Sequence, residues 1–132
     1  MPEDSGPDAR TIEIAHHCFD LARAGETDAV IAYVEAGVPA DLTDAKGNTL
    51  VMLAAYHGNA DTVAALLERG ADPDRANDRG QTPLSGAVFR VEEATIRALV
   101  AGGADPDAGT PSARESAVFL GRDELLALLD GD

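Results

Sequence analysis

The stretch that decides the fold is Gly70-Ala71-Asp72-Pro73-Asp74, which returns 33 residues later as Gly103-Ala104-Asp105-Pro106-Asp107. Gly47-Asn48-Thr49 returns at the same distance as Gly80-Gln81-Thr82. Between these blocks the register needs no gap. Val63 falls on Ile96, Leu66 and Leu67 fall on Leu99 and Val100, and Ala54 falls on Ala87. A constant period of this size predicts stacked supersecondary units, each burying its apolar side against its neighbours.

The period extends in both directions. Backwards, Gly58 maps to Gly25, Asp61 to Asp28, Leu67 to Val34 and Asp74 to Asp41. Forwards, Gly121 to Leu129 repeats the internal spacing of Gly58 to Leu66. It does so 63 positions on rather than 66, so the last unit starts about three residues short. Two regular units flanked by two atypical ones predict a capped array, because terminal units need a wet outer side. The expected organisation is a disordered tail over 1–10 and a repeat domain over 11–132. That domain divides into an N-terminal capping repeat (11–42), two full repeats (43–75 and 76–108) and a shortened C-terminal cap (109–132).

Local signals within one unit agree with this. Asp44-Ala45-Lys46-Gly47-Asn48 reads as a turn. Thr49 can cap the following helix, and its counterpart Thr82 precedes Pro83, a favourable first helical residue. Gly58 ends that short helix, Asn59 is a plausible second cap, and Asp61 falls in the first turn of the next helix. Val63, Leu66 and Leu67 make one apolar stripe. Gly70 stops the helix and Pro73 keeps it from resuming. Val91 stands where the other units have the turn glycine. A β-branched residue disfavours positive φ, so this turn is expected to take another shape.

This layout resembles the ankyrin repeat, whose pattern runs roughly D-x-x-G-x-T-P-L-H-x-A-A-x-x-G and ends in G-A-D-x-N. The chain shows Asp44-Ala45-Lys46-Gly47-Asn48-Thr49, Ala54-Ala55-Tyr56-His57-Gly58 and Gly70-Ala71-Asp72-Pro73-Asp74. The third unit shows Asn77-Asp78-Arg79-Gly80-Gln81-Thr82-Pro83-Leu84. The likeness covers about residues 11–130. It implies an all-α solenoid of helix-turn-helix units with short β-turn connections, and a non-enzymatic role in protein–protein interaction through a concave face. The family's Thr-Pro-Leu-His is here Thr49-Leu50-Val51-Met52 and Thr82-Pro83-Leu84-Ser85, so the histidine that ties neighbouring turns is missing.

Carried over by register, the implied partner-binding residues are Lys46, Asn48, Tyr56 and His57 in the second unit. In the third they are Asp78, Arg79, Gln81, Phe89 and Arg90. Tyr56 and Phe89 lie 33 apart and should stack in a row with Arg23. Aromatic and arginine side chains are the commonest binding anchors. Packing of both rings as core edge is an equally open reading.

With 24 acids against 10 bases, the formal charge is −14. Such a surface repels nucleic-acid phosphate and anionic membrane and favours a basic protein partner. It also motivates an alternative function, an acidic inhibitor or immunity-type protein that blocks a basic enzyme. The single cysteine, Cys18, excludes an internal disulfide and fits a reducing compartment. The acidic N-terminus does not read as a signal peptide, and no apolar run reaches the roughly eighteen residues of a membrane span. A cytoplasmic monomer is the expectation.

His16-His17-Cys18 invites a metal reading, but adjacent helical residues diverge and cannot converge on one ion. Cys18 matches Val51 and Leu84 in register, which are core positions. Asp28, Asp61 and either Glu92 or Glu93 serve helix starts, while Asp72 and Asp105 fall in inter-repeat loops. No phosphate-binding loop and no G-x-S-x-G context is present. The expectation is no catalytic residue, no metal ligand and no cofactor.

Overall fold

The computed structural model describes residues 9–131. Residues 1–8 of the expected tail lie outside them, and the first helix begins at Ala9. Four helix pairs follow: α1 (Ala9–Ala24) with α2 (Thr27–Glu35), α3 (Leu50–Tyr56) with α4 (Ala60–Glu68), α5 (Pro83–Phe89) with α6 (Glu93–Ala101), and α7 (Ala113–Leu120) with α8 (Asp123–Leu129). First helices pack side by side in one layer and second helices in another, each pair against the next. Among the described residues, β pairing is limited to two isolated bridges, Thr43 with Thr49 and Gly109 with Ser112. This is the all-α repeat solenoid that the period predicts.

The first helices start where the cap residues say they should. The Met52 amide donates to Oγ1 of Thr49 at 3.0 Å. Thr82 with Ser85, and Ser112 with Glu115, form reciprocal capping boxes. Between the layers lie Leu50, Val51, Leu66, Leu84, Ile96, Leu99 and Leu125, all fully buried. Ala54, Ala87 and Ala117 occupy equivalent positions and are also fully buried. Their small side chains let neighbouring first helices approach closely. Cys18 is buried beside Phe19, as its register with Val51 and Leu84 requires.

The turn after α5 departs from expectation. Val91 adopts φ +57°, the conformation that Gly25 (+75°), Gly58 (+74°) and Gly121 (+68°) take at the equivalent turns. The stack imposes the turn on Val91 despite the steric penalty of about 1–2 kcal/mol for a residue with a Cβ. Its amide donates to the Val88 carbonyl, the next amide (Glu92) reaches Ala87, and its side chain packs against the core. These contacts hold the strained residue in place.

Asn59 also differs from expectation. It makes no cap hydrogen bond. Its amide nitrogen instead donates to the carbonyls of Ala22 (3.0 Å) and Arg23 (2.9 Å), at the open C-terminal end of α1. Asn59 therefore ties two units together.

The turn tips are joined without a histidine. The Asp78 amide donates to the Lys46 carbonyl at 3.0 Å, Asn77 Nδ2 donates to Asn48 Oδ1 at 2.9 Å, and the Thr110 amide donates to the Gly80 carbonyl at 2.9 Å. The shortened last unit thus keeps a turn that docks on its predecessor. On the opposite edge a carboxylate ladder repeats with the period. The Asp72 amide donates to Asp41, and the Asp105 amide to Asp74, at 2.8 and 2.7 Å. Asp107, next in that series, pairs with Arg114 at 3.0 Å.

Candidate functional site

Of the nine residues carried over by register, Lys46, Asn48, Tyr56, Gln81 and Phe89 line two depressions on the first-helix side, while His57, Asp78, Arg79 and Arg90 line neither. The first is a cavity of about 190 Å³ on the third unit, closed by residues of the second and fourth. Tyr56 and Phe89 form its walls, Ser85 and Gly86 its floor, and Gln81, Pro111 and Ser116 complete it. Phe89 is 60% exposed and Tyr56 is half-buried, so neither ring is a core residue.

At the floor of this cavity the third unit departs from the second. Gly86 stands where the second unit has Leu53, and Ser85 where it has Met52. A glycine inside a helix costs roughly 0.8–1 kcal/mol relative to alanine, and α5 has only seven residues to bear it. A Cβ at Gly86 would meet the terminal methyl of Met52 at 3.2 Å and the Tyr56 ring at 3.7 Å. Leucine at this position would therefore fill the floor.

Two arginines stand on the rim. Arg90, the C-cap of α5, lays its guanidinium over the Tyr56 ring, with Cζ 4.8 Å from the centroid. Arg79 donates from Nη2 to Gln81 Oε1 at 3.2 Å. Neither has a carboxylate within ion-pair distance among the described residues, whereas Arg23, Arg69, Arg114 and Arg122 all do. His57 is exposed and sits edge-on to Tyr56, with ring centroids 5.6 Å apart. Asp78 is exposed, and its carboxylate lies over Gly47 of the preceding tip.

The second depression, of about 530 Å³, is lined by Lys46, Asn48, Arg23, Asp44, His16 and their neighbours. Its acids are already engaged. Asp44 accepts from the amides of Lys46 and Asn48, both at 2.9 Å, and from Asn48 Nδ2 at 3.2 Å. Partial burial pushes its carboxyl up, but these donors and the nearby Arg23 charge outweigh burial, so its pKa lies below the ordinary value. Asn48 is itself held on both sides, by Asp44 and by Asn77, which makes it a tie between tips.

Phe119 was not among the residues singled out from the sequence. It occupies the position of Tyr56 and Phe89 in the last unit and is 84% exposed. The signal was available, because the 63-residue offset that places Gly58 on Gly121 also places Tyr56 on Phe119. Beside it, Val118 is 64% exposed although its counterpart Val88 is fully buried. Val88 is covered by the next unit, and no unit follows α7 and α8 among the described residues.

No group of three or more His, Cys, Asp or Glu gathers as a metal site among the described residues. His16 and His17 are exposed, His17 lying edge-on against Tyr33, while Cys18 points into the core. Burial raises the Cys18 thiol pKa, which disfavours the reactive thiolate. No helix among the described residues is long and apolar enough to cross a membrane.

Comparison with known proteins agrees with this architecture. Over 51 residues the chain is 45% identical to PA3287 of Pseudomonas aeruginosa, a protein named as an ankyrin repeat protein. That match covers 39% of this chain and 30% of the relative, so the two are alike over a segment only. A family model described as ankyrin repeats, in three copies, matches residues 19–110, well over half of the chain. Ankyrin repeats are in general protein–protein interaction modules without catalytic activity, and this chain belongs to the ankyrin repeat family.

Proposed function

We propose that the chain is a non-enzymatic protein-binding module that presents its first-helix face to one partner. The observation that carries this reading is the aromatic row of half-buried Tyr56 and exposed Phe89 and Phe119, with a cavity between the first two. Exposed aromatics beside a pocket are the usual anchors of a binding surface. In this reading residues 11–132 act as a single repeat domain, a cytoplasmic monomer that needs no metal or cofactor. The inhibitor alternative draws on the charge of −14 alone. Several acids on this side are spent on structure, Asp44 within its own turn and Glu115 in a capping box, so the site adds nothing in its favour.

The test is the double variant Tyr56→Ala/Phe89→Ala, followed by circular dichroism on heating and by pull-down from native lysate. The expected result is a cooperatively melting protein that loses a discrete set of captured proteins. A truncated aromatic anchor commonly costs about 2 kcal/mol or more of binding. Undiminished capture by a folded double variant would remove the reading.

A further inference from the structure

We propose that the Tyr56–Phe89 cavity, opened by Gly86 and rimmed by Arg79 and Arg90, takes one apolar side chain from a partner segment whose flanking residues are Asp or Glu. This rests on the protein-binding reading and specifies the chemistry of the partner. Three observations carry it.

The first is size. At about 190 Å³ the cavity is smaller than the roughly 300–1,000 Å³ typical of small-molecule sites. It matches a single aliphatic or aromatic side chain presented by a peptide.

The second is local sequence. The apolar character of the cavity belongs to this place in the stack, because the equivalent place one unit earlier carries Met52 and Leu53 and opens instead as the depression lined by Arg23, Asn48 and Leu53 among polar neighbours. The third unit gives up packing and helix propensity at Ser85 and Gly86 and gains an apolar hole open to solvent.

The third is charge. The whole-chain charge of −14 favours a basic partner at long range. At physiological salt, however, exposed charges are screened beyond about 8 Å, so the groups beside the cavity decide what binds there. Those groups are Arg79 and Arg90, each held on a cavity-lining residue and neither facing a carboxylate among the described residues. Of the nearby acids, Glu92 lies over Gly58 of the preceding unit. Glu115 accepts from the Ser112 amide, and Asp78 lies over Gly47. A planar guanidinium held in place by stacking or hydrogen bonding is preorganised for a carboxylate.

The experiment uses the full chain, fluorescently labelled, on an array of nonapeptides. Each peptide has a central Leu, Ile, Met or Phe, and its flanks run through Glu, Asp, Ser, Lys and Arg. The wild type should prefer acidic flanks over basic ones by about tenfold or more. Gly86→Leu should fold and lose this binding. Gly86→Ala serves if leucine disturbs the fold, since only the mobile end of Met52 must yield. The double charge reversal Arg79→Glu/Arg90→Glu should turn the preference towards Lys and Arg flanks.

Preference of the wild type for basic flanks, no binding to any peptide, or full binding by folded Gly86 variants would overturn the proposal. If pull-down still requires Tyr56 and Phe89 in that event, the protein-binding reading survives and only the acidic-segment inference falls.

Discussion

The Arg90 guanidinium carbon stands 4.8 Å from the centroid of the Tyr56 ring, which joins the first helices of two adjacent units across the candidate groove. The contact fixes the angle of the ring and the position of the charge together. An exposed cation–π pair of this kind is worth about 0.5–1 kcal/mol. Arg90→Ala should therefore lower stability by that amount, and Arg90→Lys by less. Chemical denaturation of both variants checks this. Equal stability of wild type and Arg90→Ala would mean that the stacked geometry contributes nothing in solution.

The hydroxyl of Thr62 meets that of Thr27 at 2.7 Å. Its counterpart Thr95 is fully buried, and its hydroxyl has no partner. The reason is legible in the period, since Ala60 stands 33 residues after Thr27 and carries no hydroxyl. Thr95→Val should accordingly leave stability unchanged or raise it by about 1 kcal/mol, whereas Thr62→Val should lower it by about 1 kcal/mol. Paired thermal melts decide the matter, and a destabilised Thr95→Val would show that its hydroxyl is satisfied.

Val91 is the one non-glycine residue with positive φ among the described residues. Val91→Gly removes a strain of about 1–2 kcal/mol but loses partly buried methyl groups and adds chain entropy to the unfolded state. The two losses together are about as large as the strain, so the melting temperature should stay within a few degrees of wild type. The converse variant, Gly121→Val, has open space for its Cβ, so its strain is opposed only by the lower entropy of its unfolded chain. It should be destabilised by less than the full strain of about 1–2 kcal/mol. A larger fall in melting temperature for Val91→Gly would mean that side-chain packing outweighs the backbone.

The Asp44 carboxyl is held below its ordinary value of 3.8, because the donors from Asn48 and Lys46 and the Arg23 charge outweigh burial. A depressed folded-state pKa contributes stability above the unfolded value, and that stability is lost as pH falls through the folded value. Asp44→Asn should therefore melt lower than wild type at pH 7. The gap should close as pH drops through 3.8 and below. Melting curves of both proteins from neutral pH to about pH 3 test the sign, and a gap that widens in acid would refute it.

Much of the fold was legible in the chain. A 33-residue period, cap residues at Thr49 and Thr82, and the stripe of Val63, Leu66 and Leu67 are local signals, and local hydrogen bonding and side-chain periodicity follow from them. The candidate groove was half legible. Register alone puts Tyr56, Phe89 and Phe119 in one row, since equivalent positions in a stack must align. Three things lay beyond it, all of them contacts between units. Val91 takes the glycine conformation because neighbouring helices leave its turn no other path. Asn59 reaches back to α1 because the carbonyls of Ala22 and Arg23 at the end of that helix can accept its amide, and its own helix end does not hold it. The cavity over Gly86 appears only when Tyr56 of the unit before and Pro111 of the unit after close its sides. Sequence spacing tells which residues share a face, but which gaps remain between faces depends on how side chains of different units interlock.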